Sequence, residues 1–185
     1  MNIHVCNYDP ISLGVAKMRA TELKFQLESL CDEFEIAGSV RRKQPYVKDI
    51  EIVCVPKHKE VNILVDLFPK KFMRNQVIDW IEDNADRSLY VLKGGPKYYQ
   101  FVYQNGVTVD LFMTTVEEFG RMLAIRTGPE NYSKKMAARW VDLGYHGIDG
   151  KLIHGKTGEQ AGPFRTELEF FEFLGWNYVK PEARK

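Results

Sequence analysis

The sequence predicts an α+β fold, in which a mixed β-sheet with helices on one face precedes a small C-terminal α/β subdomain. Three observations predict it. Residues 49–55 read Asp-Ile-Glu-Ile-Val-Cys-Val, alternating and then wholly apolar, as does a strand that begins at a rim and ends in a core. Tyr98 to Tyr103 and Val107 to Met113 flank Asn105-Gly106, and Asn-Gly between β-rich runs signals a hairpin, because a type I′ turn needs positive φ at both positions. Residues 11–33 set Ile11, Leu13, Val15, Met18, Leu23, Leu27 and Leu30 among Lys, Arg and Glu, the pattern of an amphipathic helix that covers a sheet.

Taken in order, that helix leads to a short strand, Phe34 to Ala37, which delivers the chain to Gly38-Ser39. A loop over residues 43–48 precedes the Asp49 strand, which Pro56 closes. Residues 59–84 read as a second helical region, broken near Pro69, with Val61, Leu64, Val65, Leu67, Val77, Ile78 and Ile81 turned to a core. Leu89 to Leu92 is a strand ending at Gly94-Gly95-Pro96, and the Asn-Gly hairpin follows. Helices are then expected over 115–123, 130–143 and 166–174, the last with Leu168, Phe171 and Leu174 apolar. The break at Thr127-Gly128-Pro129 and a glycine-rich flap over 144–162 separate them.

At 185 residues the chain is long enough for a real core and reads as one domain with a satellite, divided near residues 115 and 116. Hydrophobic residues at 44% and charged ones at 28% are ordinary for a globular protein. A formal net charge of +1 excludes whole-chain attraction to nucleic acid, so any affinity must come from local patches. Cys6, Cys31 and Cys54 match no zinc spacing or disulfide framework, and Cys54 reads as a core residue. With no apolar run of membrane length and no signal peptide at the start, the expected location is the cytoplasm or another reducing intracellular compartment.

The chemistry concentrates at Gly38-Ser39-Val40-Arg41-Arg42 and Asp49-Ile50-Glu51. Side chains at i and i+2 of a strand share a face, so Asp49 and Glu51 project together while Ile50 and Ile52 enter the core. Two carboxylates that close are costly unless a cation sits between them, and a divalent ion suits oxygen ligands. Gly38-Ser39 offers backbone N–H groups and a hydroxyl to a phosphate, with Arg41 and Arg42 as cationic supports. A phosphate cradle beside a metal-binding carboxylate pair outlines a nucleotidyl-transfer site.

Gly-Ser-x-Arg-Arg, a loop, and Asp-x-Glu heading an apolar strand resembles the nucleotidyltransferase signature, and most of all the family X DNA polymerases. The match continues through Val109-Asp110-Leu111, Thr127-Gly128, and the tail Leu174-Gly175-Trp176-Asn177-Tyr178-Val179-Lys180-Pro181-Glu182. The resemblance implies a polymerase-type palm, with Asp49, Glu51 and Asp110 as catalytic residues holding two Mg²⁺ ions, Mn²⁺ able to substitute. It also implies Gly38, Ser39, Arg42, Thr127, Gly128 and Lys134 around a nucleoside triphosphate, a nucleic-acid 3′ end as acceptor, and work of the DNA-repair kind. Residues preceding the first helix include nothing like the family's lyase domain or helix-hairpin-helix clamps, so the chain is similar to a catalytic core.

The departures are specific. Glu51 replaces an aspartate, and Ile125-Arg126 stands where an aromatic pair is usual. Ser133 replaces an asparagine near the base, and Ala137 an arginine that touches the template. These imply low base selectivity and weak dependence on a template. Lys134, Lys135 and Arg139 suit either a solvated helix face or phosphate contact, and Arg41 either a phosphate or a structural ion pair. His4, His58, His146 and His154 have no metal spacing. A nucleotidyltransferase that modifies a protein or small molecule is the alternative within the enzyme class, and a non-catalytic nucleic-acid-binding or regulatory module the alternative outside it.

Overall fold

The computed structural model describes residues 9–65, 68–104 and 106–185. β1 (Ile11–Ser12) leads straight into α1 (Leu13–Leu27), capped where the Ser12 hydroxyl accepts from the Val15 N–H at 3.4 Å. A 3-10 turn at Glu28–Leu30 passes the chain to β2 (Cys31–Ile36), and α2 (Gly38–Arg41) is a single turn. β3 (Tyr46–Val47) pairs with β1, and β4 (Asp49–Pro56) follows. β5 (His58–Val65) and β6 (Phe68–Asn75) form a ribbon of their own before α3 (Gln76–Asn84). β7 (Leu89–Gly95), β8 (Tyr98–Tyr103) and β9 (Val107–Met113) complete the main sheet. α4 (Phe119–Thr127), α5 (Glu130–Asp142), the hairpin β10 (Tyr145–Ile148) and β11 (Lys151–His154), and α6 (Glu167–Phe173) make up the rest.

The main sheet runs β2-β4-β9-β8-β7, with β4 and β9 parallel and the other neighbours antiparallel. It is the mixed sheet of an α+β fold. Alternation divides its side chains between two cores. Ile50, Ile52 and Cys54 of β4, with Val109, Leu111 and Met113 of β9, meet α1 and α3 on one face. Val53, Val55 and Phe112 point the other way and meet Phe119 and Leu123 of α4. α1 and α3 thus cover one face and α4 the other. A third core, built from Ala124, Met136, Leu152, Phe164, Phe170, Phe171 and Leu174, holds the C-terminal helices and hairpin together.

Four expectations need correction. The second helical region is a hairpin as far as Asn75: Val61, Ile63 and Val65 recur with period 2, and Pro69 is tolerated on a ribbon edge opposite Leu64. Helix begins only where the Asn75 side chain caps α3, accepting from the N–H groups of Val77 and Ile78. Leu67, also placed in that helix, lies outside the described residues. The first helix buries Ala16, Ala20, Leu23 and Leu27, while Val15 and Met18 stay 40% and 50% exposed. The true stripe starts with alanines, whose small side chains let the helix approach the sheet. In α6, Leu168 is exposed and Phe170 joins Phe171 in the core instead. Residues 125–127, read as leading into a break, form the last turn of α4. Cys31 and Cys54 are buried free thiols.

A candidate phosphate and metal site

The parallel pairing of β4 and β9 builds the rim. Its register sets Glu51 beside Asp110 and Asp49 beside Thr108, on strands about 4.8 Å apart. All three carboxylates are half-buried on the same face of the sheet, while Ile50 and Val109 between them are fully buried on the other. On the far side of β9, Gln100 of β8 pairs in register with Asp110, and Tyr98 lies two residues away on the same face. The Tyr98 hydroxyl donates to Asp110 Oδ1 at 2.5 Å, and the Gln100 amide to the same oxygen at 2.9 Å.

Gly38 closes the other flank. Its φ of +59° suits glycine, and a Cβ there would meet Glu51 Oε2 at 1.9 Å. Only a residue without a side chain lets the carboxylate lie against this turn. The Ser39 hydroxyl is buried with no hydrogen-bond partner, so a strong acceptor or donor arriving at the turn would satisfy it.

The electrostatics follow from crowding three acids on one rim. Burial, aided by the charge of Asp49, pushes the Glu51 carboxyl up to about 7. Burial and the charge of Asp110 raise Asp49 as well. A cation among them would reverse both shifts. Burial lowers the pKa of both neighbouring guanidiniums, Arg42 and Arg126, with Glu51 acting against it in each. Burial and the bond to Asp110 raise the Tyr98 phenol, so it stays a donor at neutral pH.

The donor set is all oxygen, which fits a hard divalent ion. The side chains do not yet converge: Glu51 leans on Gly38 and Asp110 is held by Tyr98 and Gln100. Among the described residues no group of three or more His, Cys, Asp or Glu closes on one point. Rotation of Glu51 and Asp110 about their own side-chain bonds is what convergence needs.

Two cavities meet at this rim, and Glu51 and Arg126 line both. One, of about 470 Å³, is walled by Arg42, Gly128, Ser133, Lys134, Ala137 and Trp140 among others. The second, of about 500 Å³, holds Asp110, Tyr98, Gln100, Lys97, Phe112 and Met122. Of the residues expected around a nucleotide, Arg42, Gly128 and Lys134 face the first cavity. Lys134 pairs with Glu130 at 2.5 Å on the exposed side of α5. Thr127 is fully buried: its hydroxyl accepts from Arg41 at 2.7 Å and its carbonyl from Arg42 at 2.7 Å. It braces the two arginines and faces neither cavity. Arg41 points away from the rim, into a bidentate pair with Glu167 at 2.8 Å that also receives Arg184 at 2.8 Å. Its structural use is the one realised. The Ser133 hydroxyl donates to the Ile125 carbonyl at 2.6 Å, so it is committed to the backbone.

No family profile matches the chain, and no curated protein is significantly similar in sequence. Solved structures do match. Polymerase beta of Leishmania infantum in a ternary P/T complex superposes with a TM-score of 0.72 at 17% identity, over 97% of this chain and 78% of that one. Its ternary gap complex gives 0.70 at 16%, over 96% and 71%. The fold is that of polymerase beta. The superpositions cover 96–97% of this chain, and at these identities the likeness is one of fold. No helix among the described residues is long and apolar enough to cross a membrane.

Sequence reasoning missed Tyr98, Gln100 and Glu167 as parts of this arrangement. A tyrosine and a glutamine two apart in the strand before Asp110 were the available signal for the first two. Nothing local marked Glu167, which lies 126 residues from its partner Arg41.

Proposed function

We propose that the protein is a metal-dependent nucleotidyltransferase that adds nucleotides from nucleoside triphosphates to a nucleic-acid 3′-hydroxyl and releases pyrophosphate. The observation that carries the reading is the register of β4 with β9, which sets Asp49, Glu51 and Asp110 on one face, with Glu51 lining both cavities and Asp110 the second. The polymerase beta fold and the unpartnered Ser39 hydroxyl beside that rim support it. In this reading residues 1–115 are the palm and 116–185 the nucleotide-side subdomain.

Asp49 and Glu51 would hold both divalent ions and Asp110 one of them, and the ions supply charge neutralisation on the attacking and leaving oxygens together. The chain's own groups do the rest. Arg42, tethered to Thr127 by one nitrogen, presents its remaining N–H donors to the β- and γ-phosphates, where negative charge grows as pyrophosphate departs. The Ser39 hydroxyl gives a neutral hydrogen bond to the same oxygens. Gly128 lets the sugar or base approach the end of α4, and Lys134 stands where it can exchange Glu130 for a phosphate. Tyr98 and Gln100 hold Asp110 until it turns toward the ions, and Asp110 lines the second cavity, where a primer hydroxyl would enter.

Selection of the incoming base is weak in this scheme. The Ser133 hydroxyl is bonded to the Ile125 carbonyl and the Ala137 side chain has no polar atom to offer, so a wrong base leaves no donor or acceptor stranded. The test is a primer-extension gel with a labelled 3′ end, each nucleotide supplied singly, on gapped duplex and single strand, with Mg²⁺ or Mn²⁺. Extension that falls by orders of magnitude in Asp49→Ala, Glu51→Gln and Asp110→Ala supports the assignment. Near-wild-type extension by folded Asp110→Ala refutes it. Strict complementary insertion confined to the gap refutes the reading of Ser133 and Ala137.

A further inference from the structure

We propose that Arg126 is a resident counter-cation of the carboxylate rim, keeping a divalent ion off Glu51 and Asp110 until a nucleoside triphosphate in the adjoining cavity draws its guanidinium away. The inference rests on the nucleotidyltransferase reading and adds the residue that makes metal loading conditional. Arg126 is this chain's own feature, standing where the family resemblance would put an aromatic side chain.

Arg42 and Arg126 both bring positive charge to the rim, and they are held differently. Arg42 is anchored on the Thr127 carbonyl. Arg126 has no such anchor. Its guanidinium lies 3.8 Å over the ring of Phe112, a contact that constrains the plane and leaves the N–H groups free. Its Nε is buried without a hydrogen-bond partner. Among the described residues no carboxylate lies within 4.0 Å of it as an ion pair. Lys97, the other cation of the Asp110 cavity, is tied to the Asp149 carbonyl at 2.9 Å. Among the described residues, Arg126 is thus the cation lining these two cavities with neither a carbonyl nor a carboxylate as partner.

Its position gives that free charge a consequence. Arg126 forms, with Glu51, the wall common to both cavities. A fixed positive charge facing Glu51 and Asp110 opposes a divalent ion twice as strongly as a monovalent one. The flexible side chain can swing into the other cavity, where a triphosphate offers several oxygens to its empty Nε and its fork. Removing the guanidinium from one side and adding anionic charge on the other both favour the metal. Metal and triphosphate are therefore coupled, each tightening the other by the same factor.

The experiment measures Mn²⁺ binding by the electron paramagnetic resonance of free Mn²⁺, without nucleotide and with a non-hydrolysable triphosphate analogue. Wild type is compared with Arg126→Gln, Arg126→Met and Arg126→Lys, each checked for folding by its melting curve; the Met variant keeps apolar cover on Phe112 should Gln loosen the site. Without nucleotide the two neutral variants should bind Mn²⁺ about tenfold more tightly than wild type, and Arg126→Lys should stay near wild type. The analogue should tighten Mn²⁺ binding much more in wild type than in the neutral variants. Equal affinities across all four proteins would overturn the role of Arg126 and leave the metal site standing. An absence of Mn²⁺ binding in every protein, with or without the analogue, would instead overturn the metal reading itself and this inference with it.

Discussion

Glu167 should be among the most costly side chains to truncate, although it lines neither cavity at the rim. Its carboxylate accepts two bonds from Arg41 at 2.8 Å and one from Arg184 at 2.8 Å, with Tyr178 at 3.3 Å. The Arg184 side chain is fully buried and that of Arg41 only 21% exposed, so Glu167→Ala leaves two guanidiniums with little water to replace the lost partner. Breaking a buried pair by removing one member costs about 3–5 kcal/mol. For a chain of 185 residues each kcal/mol moves the melting temperature by about 2–4 °C, so a drop of roughly 6–20 °C is expected. The pH dependence has a definite sign. Burial alone would raise the Glu167 pKa, but the Arg41 and Arg184 hydrogen bonds win and hold it below the ordinary 4.5. A carboxyl depressed on folding stabilises fully above its unfolded pKa and loses that contribution as pH falls through the folded one. Thermal melts from pH 7 down to pH 3 should therefore show a wide, constant gap between wild type and Glu167→Ala that narrows below about pH 4.5. A gap under about 2 °C at pH 7, or one that widens in acid, would refute the argument.

Gly38→Ala places a methyl 1.9 Å from Glu51 Oε2 at a φ of +59°, so both turn and carboxylate must shift. A loss of about 1–3 kcal/mol in chemical denaturation is expected, with a larger proportional loss of transfer activity. Gly120→Ala meets the Thr166 backbone at 2.0 Å where α4 crosses the start of α6. Overpacking against backbone should cost about 1–3 kcal/mol or more, read from the urea midpoint. Arg42→Ala should raise KM for triphosphate and lower kcat, and Arg42→Lys should recover little, since an ammonium cannot both hold the Thr127 carbonyl and present a fork. Normal steady-state kinetics in Arg42→Ala would remove the phosphate role from this residue.

Much of the site was legible because it rests on period-2 alternation. Asp49 and Glu51 could be placed on one face from strand parity alone, whereas Asp110 joined them only through the family resemblance; the β4–β9 register sets it beside Glu51. The Asn-Gly hairpin was legible too, but its register was not. A two-residue turn would pair Gln104 with Val107 and so set Phe101 opposite Asp110. The structure pairs Tyr103 with Val107, and Gln100 faces Asp110 instead. One residue of slip exchanges the two faces of β8, so Tyr98 and Gln100 could not be assigned to the site from the dipeptide signal. Residues 59–75 failed for a related reason, since short apolar runs fit either period until a partner strand is known. The Arg41–Glu167–Arg184 cluster lay beyond local pattern altogether, because its members come together only in three dimensions.

That cluster also bears on when the site comes into being. Arg41 precedes Arg42 and follows the Gly38-Ser39 turn by two residues, yet its partner is Glu167, which Arg184 also engages. A ribosome that has released residue 113 has already supplied every carboxylate and both strands that carry them. The Gly38-Ser39 turn gains its brace only after some seventy further residues have emerged and folded, since contacts so distant in sequence form late. Arg184→Ala, which takes one of the two guanidiniums from Glu167, should therefore lower the melting temperature while the sheet survives.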